Sequence, residues 1–174
     1  MHDHRGYTLI ETMTVVAILA VLLAVGLPSF ADTLARHQVS TAMHLISTDF
    51  AMARNSAIMR RSAVVVCPKT DTLQCRTDAD WRHGWIVFRD PDGNRRPDSD
   101  ADLLRVSDAP PGVARGLRLD ATRALVRYQH DGRSAGTNLS VRICHRDILG
   151  GSIIVNNVGR VRTARPATPT ACPI

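Results

Sequence analysis

Arg5-Gly6-Tyr7-Thr8-Leu9-Ile10-Glu11 runs straight into Thr12–Ala31, a stretch of twenty residues without one formal charge. At the helical rise, about twenty apolar residues cross the hydrocarbon of a bilayer. One carboxylate, Glu11, stands at the entrance of that run. A charge held at membrane depth without a partner costs roughly 2.5–3.5 kcal/mol on insertion scales. The segment therefore asks what Glu11 meets.

The pattern resembles the leader of type IV prepilins and of the pseudopilins of type II secretion. In that family a short basic leader ends in Gly, here Gly6. The resemblance implies that a prepilin peptidase cuts after Gly6 and methylates the new N-terminus, Tyr7, where the family usually has Phe. The fifth residue after the cut is the family's Glu, and Glu11 stands there. The family's helix-kinking proline falls on Pro28. A secretory signal peptide, cut near Gly26-Leu27-Pro28-Ser29, or a plain single-pass anchor leaves Glu11 unexplained.

The apolar helix is expected to run past Pro28. Val39, Ala42, Met43, Ile46, Phe50, Ala53 and Ala57 recur at steps of three and four, one face of an amphipathic helix. Asp32, Arg36, His37, Asp49, Arg54 and Arg60 occupy much of the remainder. One helix is predicted over 7–61, with 7–31 as membrane span and filament core and 32–61 amphipathic. Beyond it the period falls to two. Strands are predicted over 62–67, 84–89, 103–106, 116–119, 124–129 and 138–144, with a closing hairpin of 151–156 and 158–163. Residues 70–80 read as a loop, and Asp90–Asp100 as a solvated hairpin tip. The tail from Ala164 is expected to be loose up to Cys172. Of Trp81 and Trp85, one is expected in the core and the other beside it.

Three later segments and one cysteine sharpen the resemblance. Asp80-Trp81-Arg82-His83-Gly84-Trp85-Ile86-Val87-Phe88-Arg89-Asp90 is similar to a segment of FimT/GspH-type minor pilins and pseudopilins. So are Val126–Arg133, Cys144 and Ile153–Arg162. The implied fold is α+β and pilin-like: a long N-terminal α-helix packed on an antiparallel two-sheet β domain, residues 62–174. The implied role is non-catalytic, a minor subunit that primes or caps a filament. Implied partners are the prepilin peptidase, other minor and major pilins or pseudopilins, and the inner membrane before assembly. The soluble domain is expected in the periplasm, then at a filament tip or the cell surface. Two branches stay open, a type IV pilus and a type II secretion pseudopilus acting only in export. A membrane-anchored DNA-uptake receptor outside any filament is the alternative of another class.

Four cysteines, Cys67, Cys75, Cys144 and Cys172, all lie beyond the apolar run and suit an oxidising compartment. Four allow three connectivities; the local pairs Cys67–Cys75 and Cys144–Cys172 are preferred. No C-x₂-C occurs, so zinc is not expected. Asp90-Pro91-Asp92-Gly93-Asn94 lacks the spacing and the Glu of a calcium loop. No cofactor and no catalytic residue are predicted: Asp131 beside His130, with Ser134 near, forms no arguable nucleophile–base pair.

The net charge of +6 is uneven, with a balance of +7 over 103–174 against −1 over 7–102. In the C-terminal part every base is Arg. Gly159-Arg160-Val161-Arg162 is the sharpest motif there, since alternate strand residues share a face. Arg165 follows closely, and Arg142 or Arg146 are candidates to join in space. In the FimT branch a Gly-Arg-x-Arg motif is associated with DNA capture in natural transformation. Arg160, Arg162 and Arg165 are thus candidates to grip phosphates of double-stranded DNA without reading sequence. The competing reading is a solvated strand end in an Arg-rich protein.

Overall fold

The computed structural model describes residues 8–136 and 138–173. Gly6 and Tyr7, the expected cleavage and methylation positions, lie outside the described residues. Helix α1 spans Leu9–Arg60 and is followed by eight strands. The chain divides into two compact units, one ending at Arg36 and the other starting at His37.

In the first unit, helix formation follows from a run of Leu, Ala, Val and Ile with no interior breaker before Gly26. Its start is capped by Thr8. The Glu11 amide donates to Thr8 Oγ1 at 3.3 Å. Thr8-Leu9-Ile10-Glu11 is the T-x-x-E pattern that closes a helix N-terminus, and an acid in the first turn suits the helix dipole. Hydroxyls along the run bond back to carbonyls of their own helix, as Thr14 Oγ1 does to Ile10 O at 3.0 Å and Ser29 Oγ to Val25 O at 3.2 Å. That satisfies them without water. Pro28 has no amide to give the Ala24 carbonyl, yet the helix continues through it.

In the second unit, the helical stripe from Val39 to Ala57 is buried as its spacing predicts. It packs on two antiparallel four-stranded sheets. The first has the order β3 (Leu103–Ser107), β2 (Trp85–Arg89), β1 (Val64–Pro68), β5 (Val126–Tyr128). The second has the order β4 (Leu117–Ala121), β6 (Leu139–His145), β7 (Ile148–Val155), β8 (Val161–Ala164). Long helix plus two antiparallel sheets is the expected α+β pilin-like class.

The first sheet is covered on both faces. Val64 and Val66 face the main core with α1, while Val65, Cys67, Ile86 and Phe88 form a second cluster under Leu73, Cys75, Leu103 and Leu125. The loop after β1 is therefore a lid on the sheet, stapled by Cys67–Cys75 with Cα atoms 5.5 Å apart. In the second sheet alternate residues are buried, Leu139, Val141 and Ile143 on β6 and Ile153 and Val155 on β7. β7 can approach α1 because Gly150 and Gly151 lack side chains. A Cβ on Gly150 would lie 2.7 Å from Val39 Cγ2, and one on Gly151 would lie 2.5 Å from Met43 Sδ.

Three local expectations differ from what is found. Trp81 and Trp85 are both fully buried. Their ring centroids are 6.3 Å apart, and Trp81 meets Phe50 edge-on at 5.6 Å. Asp90 is not part of a solvated tip but is fully buried, because Arg127 Nε donates to its Oδ2 at 2.8 Å. The C-terminal tail is held rather than loose. Leu149 N donates to Thr170 O, Cys172 N donates to Asp147 O, and Cys144 is bonded to Cys172.

Candidate assembly segment and arginine strand

Two places carry the residues singled out from sequence. The first is the apolar part of α1. Leu9, Ile10, Met13, Val16, Leu19, Leu22, Leu23, Val25, Leu27 and Phe30 are each more than half exposed. So much bare apolar surface is unstable in water: at about 25 cal/mol per Å², each such side chain forgoes roughly 1.5–3 kcal/mol until it is covered. Glu11, also exposed, heads this surface. The arrangement suits a lipid bilayer or a bundle of like helices.

The second place is the turn between β7 and β8. Gly159 adopts φ +78°, and a Cβ there would collide with the Gly132 carbonyl oxygen. Only glycine combines that backbone with that approach. Asn156 organises the turn. Its carbonyl accepts from Gly159 N at 2.8 Å, and its Oδ1 accepts from Arg160 N at 2.9 Å. Arg54, on α1, bridges the neighbouring loops by donating to Gly132 O at 3.0 Å and to Val158 O at 3.3 Å. Ser134, nearly buried, donates its hydroxyl to Asn156 O.

Arg160 thus leaves a braced turn, and Arg162 follows on β8, the free edge of the second sheet. Both are exposed, and their spacing of two places them on one face. Among the described residues no carboxylate pairs with either. Arg165 is not brought to them. It lies past the far end of β8, where its Nη2 donates to Ser40 Oγ at 3.1 Å. Arg142 shares the outer face of this sheet but donates to Pro173 O at 3.3 Å. Arg146 sits beside Gly116 on the β6–β7 turn.

Several supporting residues have no signal in the sequence. Arg54 looks like one more exposed helix charge, and Asn156 like one more turn residue. Only the long-range contacts, 78 residues apart for Arg54 and Gly132, give them a task.

The model of the type II transport protein GspH matches residues 42–159. The chain belongs to the GspH family. A prokaryotic N-terminal methylation motif also matches, over residues 1–27. A fimbrial protein of Pseudomonas aeruginosa is 40% identical over 65 residues, 37% of this chain and 42% of that protein. The chain spans less than half the length of the first curated relatives it matches. The crystal structure of the type IV minor pilin FimU of Pseudomonas aeruginosa is similar in fold. Its TM-score is 0.59 at 18% identity, over 78% of this chain and 94% of that one. The minor pseudopilin EpsH from the type 2 secretion system of Vibrio cholerae is also similar, at TM-score 0.52 and 11% identity, over 75% and 99% of the two chains. GspH-family membership accounts for the long helix, the two sheets and the methylation motif together.

Proposed function

We propose that this GspH-family chain is cut after Gly6, methylated on Tyr7 and assembled as a minor subunit that primes or caps a pilus or pseudopilus. The observation that carries this is the uncovered apolar part of α1 with Glu11 at its head. In a bundle of such helices Glu11 accepts from the free amine of Tyr7, on its own chain or a neighbour. A subunit docked out of register leaves a buried charge without a partner, and this makes docking specific. The chain is anchored in the inner membrane before assembly, with the β domain in the periplasm. The intact mass of the protein from membranes tests processing: loss of residues 1–6 and gain of one methyl group are expected. Retention of Met1–Gly6 contradicts the proposal.

A second activity is favoured by one observation, the exposed pair Arg160 and Arg162 on a braced edge. We infer that this edge holds the phosphate backbone of double-stranded DNA. Each guanidinium donates in a fixed fork, and neither reads bases. A mobility-shift assay compares wild type with Arg160→Ala/Arg162→Ala. The variant is expected to lose about two units of salt slope. Indistinguishable binding of the two proteins removes the inference and leaves a subunit acting in assembly or export alone.

A further inference from the structure

Beside the braced turn lies a cleft of about 390 Å³, lined by Arg61, Ser62, Ala63, Pro91, Arg127, Gln129 and His130. It is open and large enough to admit a phosphodiester group with some of its waters. Arg61 closes α1 in a left-handed conformation, φ 50°, and is exposed. Arg127 is held in place because Asp90 takes its Nε at 2.8 Å and one Nη2 hydrogen at 3.2 Å. Its Nη1 hydrogens remain for a ligand. Arg127 is thus a donor fixed in advance, in a cleft with one further guanidinium and an imidazole.

The cleft and the arginine edge flank the same loop. The Gln129–Arg133 loop touches Gly159 through Gly132, and Gly132 also lies against Ile58 near the end of α1. His130 is two residues before Gly132, and Arg160 one residue after Gly159. At 3.8 Å per residue these positions lie within roughly 16 Å of each other, the span of a few nucleotides. Arg133, on the same loop, is exposed. Among the described residues no carboxylate side chain pairs with Arg61 or Arg133. Asp131 is the acid on the loop, and its Oδ1 accepts the Arg133 amide.

We propose that the Arg61–Arg127–His130 cleft is a phosphate subsite, so that a DNA strand held by Arg160 and Arg162 continues over the Gln129–Arg133 loop into it. The proposal rests on the DNA reading of the arginine edge. Phosphate oxygens accept from the Arg61 and Arg127 guanidinium groups, and Ser62 and Gln129 offer further donors. Arg127 is charge-paired with the buried Asp90, so the uncompensated cations along the path are Arg61, Arg133, Arg160 and Arg162; a row of that kind favours a polyphosphate backbone over an isolated acidic side chain.

The test uses the full-length protein in detergent and a 30-base-pair duplex, with affinity measured across a salt series. Arg61→Asn removes the charge and keeps a residue tolerant of the left-handed backbone. Ser62→Asp puts a carboxylate into the cleft. Arg115→Asn is the charge-matched control. Arg115 lies near Gly112, which packs on Gln38, about 34 Å along α1 from Arg61 at the helical rise. Arg61→Asn is expected to weaken binding about five- to tenfold near ~0.1 M salt and to lower the salt slope by about one. Ser62→Asp weakens it further, while Arg115→Asn leaves the slope unchanged. If wild type binds DNA and Arg61→Asn matches it, the subsite is overturned while the edge reading stands. An equal loss with Arg115→Asn also overturns it, by pointing to net charge alone. Loss of poly-glutamate binding in Arg61→Asn with unchanged DNA binding assigns the cleft to an acidic peptide instead. If wild type does not bind DNA, both readings fall.

Discussion

Trp85 donates its indole Nε1–H to Asp49 Oδ2 at 2.8 Å across 36 residues of sequence, joining β2 to α1 inside the core. The Ser107 hydroxyl donates to the same oxygen at 2.6 Å, and Arg105 Nε reaches Oδ1 at 3.4 Å. A carboxylate only 3% exposed is tolerated because its oxygens are taken up in this way.

Asp49→Ala leaves the Trp85 and Ser107 donors without their acceptor. An unsatisfied buried donor costs about 1–3 kcal/mol, so a loss of about 3 kcal/mol in unfolding free energy is expected. Urea titration of the full-length protein in detergent checks it. A change under ~0.5 kcal/mol, typical of a surface substitution, rules out a structural role for the cluster.

Gly159→Ala is expected to destabilise the domain by about 2 kcal/mol or more, since a left-handed backbone alone costs roughly 1–2 kcal/mol. Gly159→Asn separates two causes. Asn relieves the backbone term, but its Cβ still meets the Gly132 oxygen. Both variants should therefore melt at similarly lowered temperatures and bind DNA less well. Full recovery with Asn shows that backbone freedom alone explains the glycine.

Cys144 and Cys172 are 28 residues apart, with Cα atoms separated by 5.9 Å. Closing a loop of that size is worth about 3.5 kcal/mol through the unfolded chain. Cys144→Ser/Cys172→Ser is expected to lower stability by that order and to open residues 165–173 to protease. An unchanged digestion pattern shows that the Leu149–Thr170 and Asp147–Cys172 backbone bonds hold the tail alone.

Much of this architecture is legible in the amino-acid order, and the limits have physical causes. The 3.6 period of Val39–Ala57 and the period of two in β6 and β7 report one buried face each, so those elements stand out. Trp81 and Trp85 mislead because Trp81 lies outside any strand, where period says nothing of burial, and its amide is tied to Leu119 O on β4, which brings it into the same core as Trp85. Asp90 looks solvated among its neighbours, since its partner Arg127 lies 37 residues away. Arg160 and Arg162 are visible as a motif, whereas the turn that braces them depends on Arg54, Gly132 and Asn156, which meet only in the fold. The cleft gathers residues from the end of α1, the loop after β2, and β5 with the loop that follows it, and no window of sequence contains it.

Asp102 gives a pH prediction. The Ser99 hydroxyl and the Arg89 guanidinium hold its carboxyl below the usual carboxylate range. A carboxyl lowered in the folded state binds fewer protons than in the unfolded chain, so its stabilisation is present above the ordinary value near ~3.9. It fades as pH falls through the lowered folded value. Wild type should therefore show a constant contribution from this group between about pH 5 and 7 and a decline below about pH 4. Asp102→Asn should flatten the acid limb of a urea-midpoint profile. An identical acid limb in the variant contradicts the pairing.

In the proposed function Glu11, at the head of an uncovered apolar helix, directs assembly into a filament. The most direct measurement is the amount of this chain in sheared filaments, by immunoblot, for wild type and Glu11→Ala at equal membrane levels. Glu11→Ala is expected to be cut after Gly6 and to remain in the membrane but to be lost from filaments. Glu11→Ala recovered in filaments at the wild-type level contradicts it, and loss of DNA uptake alongside that recovery assigns the chain to a receptor outside the filament.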